Sequence, residues 1–124
     1  MSISIYDKIG GASTLHELVE AFYSRVVNDP DLSPLFAMSD LDEVKRKQSL
    51  FLTQFLGGPS VYSNEFGHPM LRYRHMPFEI TTQRATSWLR CMQEALYELN
   101  MDDDTRAFLI QRFTQVAHHM VNQQ

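Results

Sequence analysis

A single cysteine, Cys91, excludes an internal disulfide and a thiolate metal cluster, and such sparing use suits a reducing compartment. No apolar run approaches the roughly 20 residues that a membrane span needs. The opening MSISIYDKIGG has neither the charged start and apolar stretch of an export signal nor a cleavage site, so a cytoplasmic protein is expected, neither exported nor inserted. Positive charge is not in excess. The formal net charge is −4, which argues against a general nucleic-acid binder, whose footprint is a basic face. His-Glu-x-x-His, Cys-x-x-Cys, Gly-x-Ser-x-Gly and phosphate-cradling glycine loops are missing as well, and with them the commonest hydrolytic, redox and nucleotide-binding signatures.

What is present is an ordinary globular composition. An apolar content of 44% lets the chain bury a core, and 124 residues (1–124) suit one domain. Four segments carry helical periodicity, and no segment alternates as a strand would, so an all-α fold is expected. The first follows Gly10-Gly11, opens on Thr14-x-x-Glu17 as a candidate capping box, and spaces Leu15, Leu18, Val19, Phe22 and Val26 along one face. The second begins at Asp40-x-x-Glu43, carries Leu41, Val44, Phe51, Leu52 and Phe55, and stops at Gly57-Gly58-Pro59. The third starts at Thr81 or Thr82 with the stripe Ala85, Trp88, Leu89, Met92, Leu96 and Leu99. The fourth starts in Asp102-Asp103-Asp104, acids suited to a helix N-terminus, and turns Leu109, Phe113, Val116, Ala117 and Met120 inward. Between Gly57 and Thr81 lies a long stretch with Pro59, Pro69 and Pro77 and little periodicity. Its aromatics and paired arginines favour function over disorder.

Three of the helices each place one polar side chain on an inward face. Gln48 lies between Val44 and Phe51 on the stripe of the second helix; it either bonds a backbone group there or is aimed into a pocket. Tyr23 adjoins Phe22, either as a core tyrosine or as a donor. Trp88 brings an indole N–H. His75 stands in Arg72-Tyr73-Arg74-His75-Met76-Pro77, with Leu71, Met76 and Phe78 as apolar neighbours. A lone histidine is commonly structural, but an imidazole in an apolar setting beside cations also suits a flat apolar cofactor with anionic groups on one edge, the shape of haem. Arg72, Arg74 and Lys47 are then candidates for its propionates; otherwise they form a solvated basic patch. His118 and His119 point in different directions on one helix and read as surface or interhelix groups.

The order and spacing of these residues resemble the group II truncated haemoglobins over nearly the whole chain. The resemblance rests on Tyr6-Asp7-x-x-Gly10-Gly11, Phe22-Tyr23, Phe51-Leu52-x-Gln54-Phe55-x-Gly57-Gly58-Pro59, and Gly67-His68-Pro69-x-Leu71-Arg72-x-Arg74-His75-x-Pro77-Phe78. Trp88-Leu89-x-Cys91-Met92 and Ala117-His118-His119-x-Val121-Asn122 complete it. It implies a truncated globin-like fold: four main helices packed two over two around haem b, with a long irregular segment before the proximal histidine. By that similarity His75 is the iron ligand and Tyr23, Gln48 and Trp88 face the bound ligand. Phe36, Val44, Lys47, Phe51, Leu52, Tyr62, Leu71, Arg72, Arg74, Met76, Phe78 and Met92 are expected to line the cofactor. Val44 occupies the position where vertebrate globins carry a distal histidine, and Phe36 one where some members carry tyrosine or histidine, so the three named donors must serve the ligand.

The implied function is reversible binding of dioxygen and other diatomic ligands with high affinity, by a monomer or weak homodimer without nucleic-acid or membrane partners. A hydrogen bond from Tyr23 to a polarised ligand contributes roughly 1.5–3 kcal/mol, about ten- to a hundredfold in affinity. Two other readings stand beside it. One uses the same haem for nitric oxide dioxygenation or peroxidase-like chemistry with an external reductase. The other is a cofactor-free helical interaction domain whose buried polar groups satisfy one another.

Overall fold

The structure is a computed structural model, and it describes residues 3–70 and 78–122. Among these residues the chain is helical: α1 (Ile5–Ile9), α2 (Ala12–Val26), a 3-10 turn at Ser33–Phe36, α3 (Leu41–Phe55), α4 (Val61–Phe66), α5 (Thr82–Glu98) and α6 (Asp103–Met120). None of these helices is long and apolar enough to cross a membrane.

Local chemistry explains most of the boundaries. Asp40 caps α3 by accepting from the Asp42 and Glu43 N–H groups, Thr81 caps α5 by accepting from Arg84, and Asp102 caps α6 by accepting from Thr105 at 2.7 Å. The last bond stabilises the charged form of Asp102 and holds its carboxyl below the usual range. α2 departs from expectation at its start. It is capped by the backbone of Gly11, with Thr14 already inside the helix, and no side chain bonds its first turn. The Gly10-Gly11 pair has another use, as α1 ends on Gly10 at φ 113°, a left-handed cap that a side chain would strain.

Two short helices were not visible as periodic segments, because five or six residues cannot display a period and are not stable alone. α1 is held by its Ser4 cap and by the Tyr6 N–H donating to the Leu56 carbonyl at 2.9 Å. The Tyr6 ring lies so close to Gly58 that a Cβ there would stand 3.0 Å from it and 2.8 Å from the Thr53 carbonyl. α4 falls inside the stretch expected to be irregular. It is braced on α3, where the Gln54 amide donates to Ser63 Oγ and accepts from the Ser63 N–H, both at 2.8 Å. Arg46 bridges Glu43 and Glu65, and Arg46 and Lys47 lie over the Phe66 ring.

The four long helices stack in sequence, α3 on α2, α2 on α5 and α5 on α6, so that the pair α2/α3 lies across the pair α5/α6 as expected for two over two. The core where they meet contains Leu15, Leu18, Phe22, Val26, Leu52, Cys91, Met92, Leu96, Leu109 and Phe113. Burial raises the pKa of the Cys91 thiol, which keeps it protonated and inert. The corner after α2 is fastened to α5 by two acids. Asp29, almost fully buried, accepts from the Asp31 and Leu32 N–H groups and pairs with Arg90; Asp31 accepts from Ser87 at 2.7 Å and Gln83 at 2.8 Å.

This packing makes a direct prediction. Leu96 is fully buried, so Leu96→Ala is expected to cost about 2–5 kcal/mol, whereas Met38→Ala, at a residue 99% exposed, stays within about 0.5 kcal/mol. Urea unfolding of the two variants checks this, and equal losses would contradict the core as described.

Candidate functional site

Between the two helix pairs lies a cavity of about 310 Å³. Its described lining includes Tyr23 from α2, Phe36 from the 3-10 turn, Val44, Lys47, Gln48, Phe51 and Leu52 from α3, Tyr62 from α4, Phe78, and Trp88 from α5. These ten are residues that the sequence marked, and the fold brings them together. Met92 is placed elsewhere. It is buried in the core beside Ala95 and Leu96 and is not among the described lining residues, because beyond Trp88 the stripe of α5 passes from cavity wall to solid core. His75, Leu71, Arg72, Arg74 and Met76 lie outside the described residues.

Aromatic contacts set the walls. Phe22 meets Tyr23 edge-on at 4.8 Å and Trp88 at 5.5 Å, and Tyr23 meets Phe36 at 5.9 Å. On the other side Phe51 stacks on Phe55 at 5.4 Å and meets Tyr62 edge-on at 5.6 Å. Such edge-to-face and offset pairs lock ring orientation as well as burying area. α3 shows the effect of facing a cavity: Leu52 is its one buried residue, while Val44, Gln48 and Phe51 on the same lining remain half-buried.

The polar side chains on this lining are few, and three are set apart. Among the described residues the Tyr23 hydroxyl, the Gln48 amide and the Trp88 indole make no hydrogen bond, although each comes from a different helix onto one apolar space. Tyr23 is buried and the other two are half-buried, so all three face the open space of the cavity rather than solid core. Burial also raises the Tyr23 pKa far above that of free tyrosine, so its hydroxyl keeps its proton and is available as a donor. At the rim, the exposed Lys47 holds its ammonium 5.0 Å from the centre of the Phe66 ring, a cation beside the apolar opening.

Several lining residues were read from the sequence only as core. Phe113, Val116, Ala117 and Met120 belong to the inward stripe of α6, and nothing in a periodic pattern tells cavity wall from core. Ala85 was read only as part of the stripe of α5, Leu32, Leu35 and Ile80 had no assigned role, and Arg84, a charged residue in the first turn of α5, carried no signal at all.

Residues 4–122 match the bacterial-like globin family. The chain is 51% identical over 118 residues to the group 2 truncated hemoglobin YjbI of Bacillus subtilis (strain 168), covering 95% of this chain and 88% of that protein. Its backbone superposes on the group II truncated hemoglobin of Bacillus anthracis with a TM-score of 0.94 at 48% identity, covering 98% and 93% of the two chains. For a truncated oxygen-avid haemoglobin from Bacillus subtilis the TM-score is 0.91 at 49% identity, covering 97% and 100%. The chain belongs to the bacterial-like globin family, among its group II truncated haemoglobins.

A globin implies haem, and the cavity fits one: an apolar, aromatic-walled space between helix pairs, with donors inside that lack partners among the described residues and a cation at its rim. The Tyr23 assignment can be tested without any ligand. Its pKa in the folded chain lies above the unfolded value of about 10, so the stability it contributes is complete below that pH and is lost as pH rises toward the folded value. In an alkaline titration followed by tyrosinate absorbance, Tyr23 should ionise only as the chain unfolds, so Tyr23→Phe should remove one tyrosine from that step. An undiminished step in the variant would place the buried hydroxyl elsewhere.

Proposed function

We propose that this globin reversibly binds dioxygen and other diatomic ligands at ferrous haem b, with high oxygen affinity. The observation that carries the proposal is the convergence on one apolar cavity of three donors, Tyr23, Gln48 and Trp88, that have no partner among the described residues. Haem held there supplies an iron that takes a small ligand and releases it unchanged. His75 is the residue we assign to that iron, with Lys47, Arg72 and Arg74 assigned to the propionates.

The remaining work belongs to the distal side chains. Tyr23, kept protonated by burial and braced between Phe22 and Phe36, offers its hydroxyl to a polar ligand with little reorganisation. Gln48 and Trp88 add N–H donors from the facing helices, and the apolar rings around them exclude the water that would compete. Val44 and Phe36 offer no polar group, so discrimination between ligands rests on those three donors. The oxygen-avid haemoglobin of Bacillus subtilis, nearly half identical in sequence, supports the high-affinity reading. A cofactor-free domain would need these donors to satisfy one another, which they do not do among the described residues.

Optical spectra of the haem-reconstituted protein, oxidised, reduced and oxygenated, test the proposal. The wild type should take up haem stoichiometrically and form an oxygenated state, and His75→Ala should abolish or severely weaken that state. Absence of haem uptake by the wild type would overturn the reading. Tyr23→Phe should speed oxygen dissociation by about ten- to a hundredfold, the equivalent of one hydrogen bond to a strongly polarised acceptor. An off-rate unchanged in stopped-flow would remove Tyr23 from the donor set.

A further inference from the structure

The segment Phe78–Ile80 enters α5 and lies against the end of α6, and its backbone is held unusually completely for a stretch outside any helix. Asn122, just beyond α6, accepts the Ile80 N–H on Oδ1 at 2.9 Å and donates from Nδ2 to the Phe78 carbonyl at 3.0 Å. Its own backbone N–H donates to the Ile80 carbonyl at 2.9 Å. Arg84 supplies the other arm, donating from Nη1 to the Glu79 carbonyl at 2.6 Å and from Nε to the Asp31 carbonyl at 3.0 Å. All three carbonyls of the segment are thus occupied, by groups from α5 and from the end of α6. One amide side chain both accepts from one peptide and donates to another, a combination that Asp, Ser or Ala cannot reproduce.

His75 stands three positions before Phe78 in the chain. At 3.3–3.6 Å per residue, its Cα can lie no more than about 11 Å from that of Phe78. Whatever holds Phe78–Ile80 therefore holds one end of the tether that carries His75. We infer that Asn122 is a positioning residue for the haem ligand: through Phe78 and Ile80 it fixes the point from which the chain reaches back to His75, with Arg84 as its counterpart on α5. This rests on the reading of His75 as the ligand. The simpler alternative is that Asn122 merely stops α6 and pins the chain beyond it.

The test compares haem-loaded wild type, Asn122→Ala and Asn122→Asp by three readouts: the iron–histidine stretching band of the ferrous protein in resonance Raman spectra, haem transfer to a scavenging apoglobin, and amide hydrogen exchange at Ile80. Asn122→Ala should shift and broaden the band, speed haem transfer about tenfold and expose the Ile80 amide. Asn122→Asp keeps the acceptor and loses the donor, so it should preserve Ile80 protection while still shifting the band. A band unchanged in Asn122→Ala, with only the melting temperature lowered, would overturn the inference and leave Asn122 a simple end-stop. A wild type without an iron–histidine band, or a band that survives in His75→Ala, would overturn the ligand reading itself and the inference with it.

Discussion

The Phe22 ring is where the two halves of the molecule are joined. It is fully buried on α2, meets its neighbour Tyr23 edge-on, and reaches across to Trp88 on α5. Because Tyr23 and Trp88 both pack against this one ring, the separation and orientation of two of the three cavity donors follow from it. Trp88 is held on its other side by Phe113 of α6 at 5.9 Å, and Phe113 in turn stacks against Phe55 of α3 at 6.0 Å. This chain of rings runs through all four long helices, so two of the donors are placed by close packing.

Polar fastenings beside that chain of rings hold the short elements in place. The Asp29–Arg90 pair and the bonds of Asp31 to Ser87 and Gln83 tie the corner before the 3-10 turn to α5, and that turn presents Phe36 to Tyr23. Across the cavity, Gln54 and Arg46 tie α4 to α3, which presents Tyr62 to Phe51. Most of the charged groups in these ties are part-exposed and contribute modestly to stability. Their value lies in direction. Each acts on a short element with too little apolar surface to choose its own position, and each such element carries a cavity-lining ring.

The long helices were legible because they are long: fifteen to eighteen residues give an apolar stripe several repeats, and Asp40, Thr81 and Asp102 mark the starts of three of them by side-chain chemistry alone. α2 obeyed the stripe but not the expected cap, since the backbone at Gly11 opens the helix one turn before Thr14-x-x-Glu17. α4 could not be read locally. Its six residues include no capping side chain, and its helix depends on Gln54, which is close in sequence, and on Arg46, which is not close enough to show a pattern.

The sequence by itself determined the all-helical class, the family, and the residue types able to serve a haem: a histidine among apolar neighbours and three polar side chains on otherwise apolar faces. Periodicity and motif order suffice for that because they depend on covalent spacing alone. Only the tertiary structure decided which inward faces border open space and which close into core. It therefore puts Gln48 and Phe51 on the cavity lining and Met92 in the core, although the family resemblance had set all three beside the cofactor. It also decided the parts played by Arg84 and Asn122, polar residues at helix ends whose spacing in the chain says nothing about the peptide groups they meet. The physical reason is common to both cases: a side chain's direction follows from its own helix, but what it meets is set by where the next helix packs.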